Sequence, residues 1–308
     1  MATATDRTRT SRPSRLGVWA RTHPVGAFVL LTYALSFPFW LLARLGGGFA
    51  AIVVGGLGPP VAAAVVTGLS GGSVRGLLRG LTRWRVPGRY YLFALGLPAA
   101  LFATTNLVLA LLGHDLELSL LPERVPGMLG TFLLVATVGG GLEEIGWRGF
   151  ALPRSEAVRS PVAATLLVGL AWGLWHVPLY GTPAAVVVPA VLAFFYTWLY
   201  NRTGSILLCL LLHASFTPAQ DFLLLLPEDE LAHQGLVGTT DLVLLGVYVT
   251  AAAGLVLLTR GRLGLAGARP PRPATRGPVA PSRPRGHGVR ASRTAGPAGA
   301  RTRGRTSR

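Results

Sequence analysis

Long runs of apolar residues decide most of what this chain can fold into. Apolar residues make up 51% of the sequence and charged residues only 13%. A run of about 20 apolar residues crosses the hydrocarbon core of a bilayer as a helix, because only a helix or a closed barrel bonds all of its own backbone there. Eight runs meet this description: 25–45, 49–69, 90–112, 127–147, 161–181, 184–200, 204–226 and 240–259. The sequence therefore predicts an all-α, polytopic membrane helix bundle with about eight transmembrane helices.

The arginines in the short connections predict the orientation of this bundle. Arginine-rich connections stay on the cytoplasmic side, and here they are 70–89, 148–160 and the one at Arg202. The acidic connections, around 115–123 and 228–230, then fall on the opposite side. Each informative connection agrees with an arrangement in which both termini are cytoplasmic.

The net charge of +17 is concentrated near the two ends of the sequence. We predict a basic N-terminal cytoplasmic segment (1–22), a transmembrane helical domain (23–260) and a disordered tail rich in Arg, Pro and Gly (261–308). A basic segment beside a membrane span attracts anionic lipid without any specific partner. We therefore expect anionic lipids at the basic termini and no nucleic acid. Cys209 is the single cysteine, so neither an intrachain disulfide nor a cysteine-based zinc site is possible.

A few ionisable residues interrupt the apolar runs and point to a function. Charged groups are costly inside a membrane and usually do chemistry there. Glu144 and Arg148 lie one helical turn apart, where they can pair. The neighbouring Glu143 is then free to take a proton as a general base. On spacing alone, two acids solvated at a membrane surface fit equally well.

Two later runs each carry a histidine. Trp172 lies one turn before His176, so its ring can pack over the imidazole, although a histidine within an aromatic belt at the membrane surface has the same pattern. His213 lies near the middle of its run, with Thr217 and Asp221 one and two turns further along the same face. Joined with the glutamates, the two histidines favour a membrane-embedded hydrolase. The runs contain no HExxH, P-loop or GxSxG motif.

The order of these motifs resembles the CAAX-protease and bacteriocin-processing (Abi/CPBP) intramembrane proteases. The resemblance covers about residues 50–225. It rests on Glu143-Glu144-Ile-Gly-Trp-Arg148, Trp172 to His176, and His213 with Thr217, with support from Gly58-Pro59-Pro60 and from Arg83-Trp84-Arg85 before Tyr90-Tyr91.

The resemblance implies peptide-bond hydrolysis by an activated water. Glu143 would be the base and His213 would help to hold the water. His176 and Thr217 would polarise the carbonyl, although the family usually has Asn in place of Thr217, and Asn reaches further. The supporting residues would be Glu144, Arg148, Trp172 (where the family usually has Phe) and Asp221.

Whether the reaction needs a metal is left open. A zinc ion held by Glu143, His176 and His213 is possible, but a metal-free mechanism uses the same side chains, and we favour it slightly. The expected substrates are leader peptides, bacteriocins or the tails of membrane proteins, in a bacterial plasma membrane. A proton-coupled transporter and a catalytically silent immunity or scaffold protein are the alternatives.

The predicted spans contain one conflict. At about 1.5 Å of rise per residue, Glu143 falls near the inner face of the membrane and His176 near the outer face. Tilt, or a helix break at Gly139-Gly140-Gly141, would bring the two to one depth.

Overall fold

The computed structural model describes residues 15–227 and 238–265, and its regular elements there are all helical, which confirms the predicted fold class. The α-helices are α1 (Arg15–Thr22), α2 (Pro24–Leu42), α3 (Gly48–Gly56), α4 (Gly58–Leu69), α5 (Val74–Leu78), α6 (Gly88–Leu111), α7 (Leu120–Thr137), α8 (Glu144–Gly146), α9 (Leu152–Glu156), α10 (Pro161–Tyr180), α11 (Ala184–Thr203), α12 (Ile206–Phe222) and α13 (Thr239–Leu258). Two 3₁₀ turns (Arg79–Thr82 and Gly140–Glu143) and two π-helical turns (Ala43–Gly47 and Trp147–Ala151) connect some of them.

Six helical stretches of the described chain are long and apolar enough to cross a membrane: Pro24–Leu69, Gly88–Leu111, Leu120–Glu156, Pro161–Tyr180, Ala184–Thr203 and Thr239–Leu258. The chain is thus a multi-pass membrane protein. Four of these stretches coincide closely with predicted spans. The predicted number of eight is not confirmed, because the first two predicted spans join in Pro24–Leu69 and the seventh becomes the shorter α12.

Several predictions concern residues beyond the described ranges. They include most of the basic N-terminal segment, the acidic connection at 228–230 and nearly all of the tail. The orientation of the bundle stays a prediction.

The stretch Pro24–Leu69 doubles back on itself instead of forming one rod. Gly46, in the π-helical turn after α2, has a φ of 97°, a conformation that only glycine adopts without cost. Because of this kink, α3 and α4 both pack against α2. One layer of the bundle is therefore made by consecutive helices.

Helices α10 and α11 pack along each other over their length. Small residues allow this close approach: a Cβ on Gly169 would lie 2.8 Å from the Cβ of Ala193, and a Cβ on Gly173 would lie 2.8 Å from the Cα of Val186. On other sides, α12 packs against α6 and α7, and α13 packs against α6 and α11.

The predicted continuous helix 127–147 is wrong at its C-terminal end. Helix α7 stops at Thr137, and Gly139 is extended (φ −95°, ψ −152°) before the chain turns again at Gly140. Each glycine costs about 1 kcal/mol relative to alanine in a helix, so three in succession favour such a break. The chain after the break re-enters the bundle as short helical pieces between 140 and 156. Such a break can bring Glu143 and His176 to the same depth in the membrane.

Candidate active site

The short pieces that follow the glycine break place three charged side chains inside the bundle. Glu143, Glu144 and Arg148 are 4%, 0% and 1% exposed. Helix α8 packs tightly on α4: a Cβ on Gly146 would lie 2.7 Å from the carbonyl oxygen of Pro59. The Gly-Pro-Pro sequence at the start of α4 thus forms the surface against which the glutamate segment rests.

Glu144 and Arg148 form the ion pair that their spacing predicts. Nη1 of Arg148 lies 3.0 Å from Oε1 and 2.9 Å from Oε2 of Glu144. The guanidinium carbon lies 4.2 Å from the ring centroid of Trp172 and 4.1 Å from that of Tyr196. A guanidinium between two aromatic faces is stabilised by both rings. The positive charge is therefore held in one place although it is buried.

Glu144 also holds His213, which is 69 residues away in the sequence. Nδ1 of His213 lies 2.9 Å from Oε1 of Glu144. An ionised carboxylate only accepts hydrogen bonds, so Nδ1 carries the proton and donates it. In the neutral ring, Nε2 then has a free lone pair. This is how a neighbouring carboxylate selects a histidine tautomer.

Trp172 connects the glutamate segment to the first histidine. Its Nε1 donates a hydrogen bond of 2.9 Å to Oε2 of Glu143, and its carbonyl oxygen lies 2.9 Å from Nδ1 of His176. The expected packing of Trp172 on His176 is present, with ring centroids 5.6 Å apart, and its ring also contacts that of His213 at 5.7 Å. A carbonyl only accepts, so Nδ1 of His176 is the donor.

Gly140 brings Glu143 and His213 to the same point of the backbone. A Cβ built on Gly140 would lie 2.7 Å from Nε2 of His213 and 3.1 Å from Oε1 of Glu143. Both polar atoms therefore pack closely on this glycine, and the space there admits no side chain without a shift. Oε2 of Glu143 is already bonded to Trp172, so Oε1 is the oxygen that lies next to Gly140. A carboxylate oxygen and an imidazole nitrogen that converge in this way can both accept hydrogen bonds from one water molecule.

Two other predicted residues lie further along α12. The hydroxyl of Thr217 donates a long hydrogen bond (3.3 Å) to the carbonyl oxygen of His213, within its own helix. Asp221 is exposed and forms no hydrogen bond or ion pair with the described residues. The structure brings Glu143, Glu144 and His213 together, and it leaves Asp221 apart from them.

Two residues that the sequence did not single out belong to this region. Tyr196 lies over Arg148 and against Trp172, and Trp40 stacks on His176 with centroids 5.7 Å apart. Aromatic residues are frequent in membrane helices, so nothing in the local pattern distinguishes the two rings. The triple glycine is visible in the sequence, but its orientation toward His213 is not.

The possible metal ligands do not form a metal site as they are placed. Within the described ranges, no group of three or more His, Cys, Asp or Glu side chains is arranged to hold a metal ion. His176 has its hydrogen bond and ring contacts with the residues around Trp172, and it has none with Glu143 or His213.

A buried carboxylate and an imidazole that converge on Gly140 inside a membrane helix bundle define the class: a membrane-embedded polar site with two acceptors for one water molecule. Residues 125–217 match the family described as Rce1-like, type II CAAX prenyl endopeptidase. The matched segment begins in α7 and ends at Thr217. It includes each predicted site residue except Asp221, and it confirms the predicted family resemblance. The match supports intramembrane protease activity in general. No curated protein matches the chain.

Proposed function

We propose that this protein is an intramembrane endopeptidase in which Glu143 and His213 activate a water molecule. The observation that carries the proposal is the convergence of Oε1 of Glu143 and Nε2 of His213 on Gly140. A water held between these two atoms can donate one hydrogen to each acceptor. Glu143 takes the first proton while the oxygen attacks the peptide carbonyl, and it later returns that proton to the leaving amine.

His213 holds the water rather than deprotonating it. Its Nδ1 donates to Glu144, so the neutral ring accepts at Nε2. Glu144 itself is paired with Arg148, and this pair fixes the direction of the imidazole. Fixed acceptors of this kind reduce the cost of orienting the nucleophile.

His176 and Thr217 polarise the carbonyl in this proposal. In the neutral ring, Nδ1 of His176 donates to the carbonyl of Trp172, so Nε2 becomes a donor in the other tautomer, which gives up that bond. Thr217 has to rotate its hydroxyl away from the carbonyl of His213 to reach a substrate. Each hydrogen-bond donor aimed at the developing oxyanion raises the rate of the chemical step about 10²–10³-fold.

The substrates we propose are leader peptides, bacteriocins or membrane-protein tails, and the location is a bacterial plasma membrane. The same proposal places anionic lipids at the basic termini. Comparison of new protein termini in cells with the wild-type chain and with Glu143→Gln identifies the substrates directly. The physical support for a membrane substrate is the position of the site within apolar helices.

Cleavage by the purified chain tests the activity itself. We expect hydrolysis of a quenched peptide from a random library to disappear in Glu143→Ala and in His213→Ala. Asp221→Ala is the matched control on α12, because Asp221 is exposed and forms no hydrogen bond or ion pair with the described residues. Proton-coupled transport in liposomes without any cleavage would contradict the proposal.

A further inference from the structure

The geometry points to a second binding site: an arginine pocket at one end of the bundle that takes the phosphate of an anionic phospholipid headgroup. We define the arginine pocket by Arg79, Arg83, Trp84, Arg85 and Gly204, which line a cavity of about 680 Å³. This volume is in the usual range for small-ligand sites. The inference does not depend on the proposed peptidase activity.

The charge of the arginine pocket is uncompensated. The residues that line it include three arginines and no acidic residue. Arg79, Arg83 and Arg85 are exposed, and their guanidinium groups form no ion pair with any described residue. Three like charges within seven residues repel one another, and an anion among them relieves this repulsion. Guanidinium groups bind phosphate by parallel N–H bonds, so phosphate is the anion that this arrangement fits.

The backbone that carries the arginines is fixed from two other helices. The hydroxyl of Ser205, at the start of α12, donates to the carbonyl oxygen of Arg83 at 2.7 Å. The hydroxyl of Tyr91, in α6, donates to the carbonyl oxygen of Trp84 at 2.7 Å. The segment is therefore pre-organised, which lowers the entropic cost of binding.

The Arg83 side chain lies directly across Gly204. Gly204 ends α11 with a φ of 60°, and a Cβ there would collide with Nη1 of Arg83. A guanidinium therefore stands at the junction of α11 and α12, where one membrane helix ends and the next apolar helix begins. In the orientation that the sequence predicts, this junction lies near the headgroups of the cytoplasmic leaflet.

The rim of the pocket favours a lipid over a free phosphate ion. Trp84, which lines the pocket, is 57% exposed. Exposed tryptophan is typical of the membrane–water interface. The rim thus presents apolar surface for the glycerol and the first acyl carbons, next to cations for the phosphate. In the predicted orientation the pocket faces the cytoplasmic leaflet, which is rich in anionic lipids.

Lipid binding to the whole purified chain tests this inference. In native mass spectrometry from detergent, we expect phosphatidylglycerol to bind at least tenfold more tightly than phosphatidylcholine. The double variant Arg79→Gln/Arg85→Gln should lower this preference to the part that the basic termini contribute, whereas Arg75→Gln, in the same connection but outside the pocket lining, should leave it unchanged. Arg83 is left intact because it packs across Gly204 and its loss could disturb folding; a monodisperse elution profile and unchanged helical circular dichroism verify the fold.

Other results would contradict the inference of a phospholipid site. Equal binding of the two lipids would overturn the inference, as would an unchanged preference in Arg79→Gln/Arg85→Gln. Competition by inorganic phosphate as strong as that by phosphatidylglycerol would assign the pocket to free phosphate instead. Displacement of the lipid by an acidic peptide at equal concentration would assign it to a protein partner.

Discussion

Replacement of Gly140 by alanine tests the proposed water position most directly. The added Cβ would lie 2.7 Å from Nε2 of His213, 3.2 Å from Cε1 of the same ring and 3.1 Å from Oε1 of Glu143. A methyl group there pushes against both groups that hold the water in our proposal. The contact with Nε2 is well below van der Waals distance, so the imidazole has to move away from Gly140.

We expect kcat to fall by at least about 100-fold, because a misplacement of about 1 Å of a reacting group costs this much. Converted at 1.36 kcal/mol per tenfold change, the loss is about 2.7 kcal/mol. The KM should change little, since Gly140 does not bind the rest of the substrate in this proposal. Folding should be retained, because the backbone of Gly140 lies outside the left-handed region and alanine favours helical turns.

The assay is hydrolysis of the quenched peptide that the wild-type chain cleaves best, with the purified protein in detergent. Gly130→Ala is the matched control, since a Cβ at that position in α7 has no atom within 4 Å. Its rate should equal that of the wild type. A wild-type rate in a folded Gly140→Ala variant would refute the reasoning, because cleavage would then not depend on the close placement of Glu143 and His213 at Gly140.

Four further predictions follow from the same contacts. Glu143→Gln should lower kcat by about 10²–10⁴, the usual contribution of a general base, as measured by peptide cleavage at an unchanged unfolding temperature. Glu144→Gln leaves the buried guanidinium of Arg148 without its carboxylate and should lower the free energy of unfolding by about 3–5 kcal/mol. Thermal unfolding in detergent measures this loss. Glu123→Gln, at an exposed position, is the control and should leave the unfolding temperature unchanged. Trp172→Phe keeps the ring and loses only the indole N–H, so cleavage should stay within about tenfold of wild type, whereas Trp172→Ala should lose about 100-fold or more. Thr217→Val should lower kcat about tenfold and Thr217→Asn should preserve it, because the amide reaches further as a donor; equal rates in the two variants would remove this residue from the mechanism.

Helix breaks are where prediction from the sequence was weakest. The end of α7 was predicted ten residues too late, at 147 instead of Thr137. Hydropathy does not show that the helix ends at 137 rather than 147, because the glycines and the residues around them continue the apolar run. The cost of three consecutive glycines in a helix is visible in the sequence, but whether the chain bends there depends on what the following residues pack against. Here they pack on α4, at Pro59.

The aromatic partners of the site could not be predicted from the sequence either. Tyr196 on α11 contacts Arg148 because α11 packs against the π-helical turn, and Trp40 contacts His176 because α2 packs against α10. One-turn spacing finds neighbours on one helix and says nothing about neighbours on another.

Apolar run length and the near absence of charge in the runs determined by themselves that this chain folds as a helical membrane protein, because backbone groups in lipid have no other partners. Local spacing determined the pairing of Glu144 with Arg148, since four residues make one helical turn. Tertiary structure alone decided that Glu144 also holds His213, 69 residues away, and that Trp172 bonds Glu143, 29 residues away. Those contacts depend on where helices break and how they pack, and neither is encoded in the spacing of residues within one element.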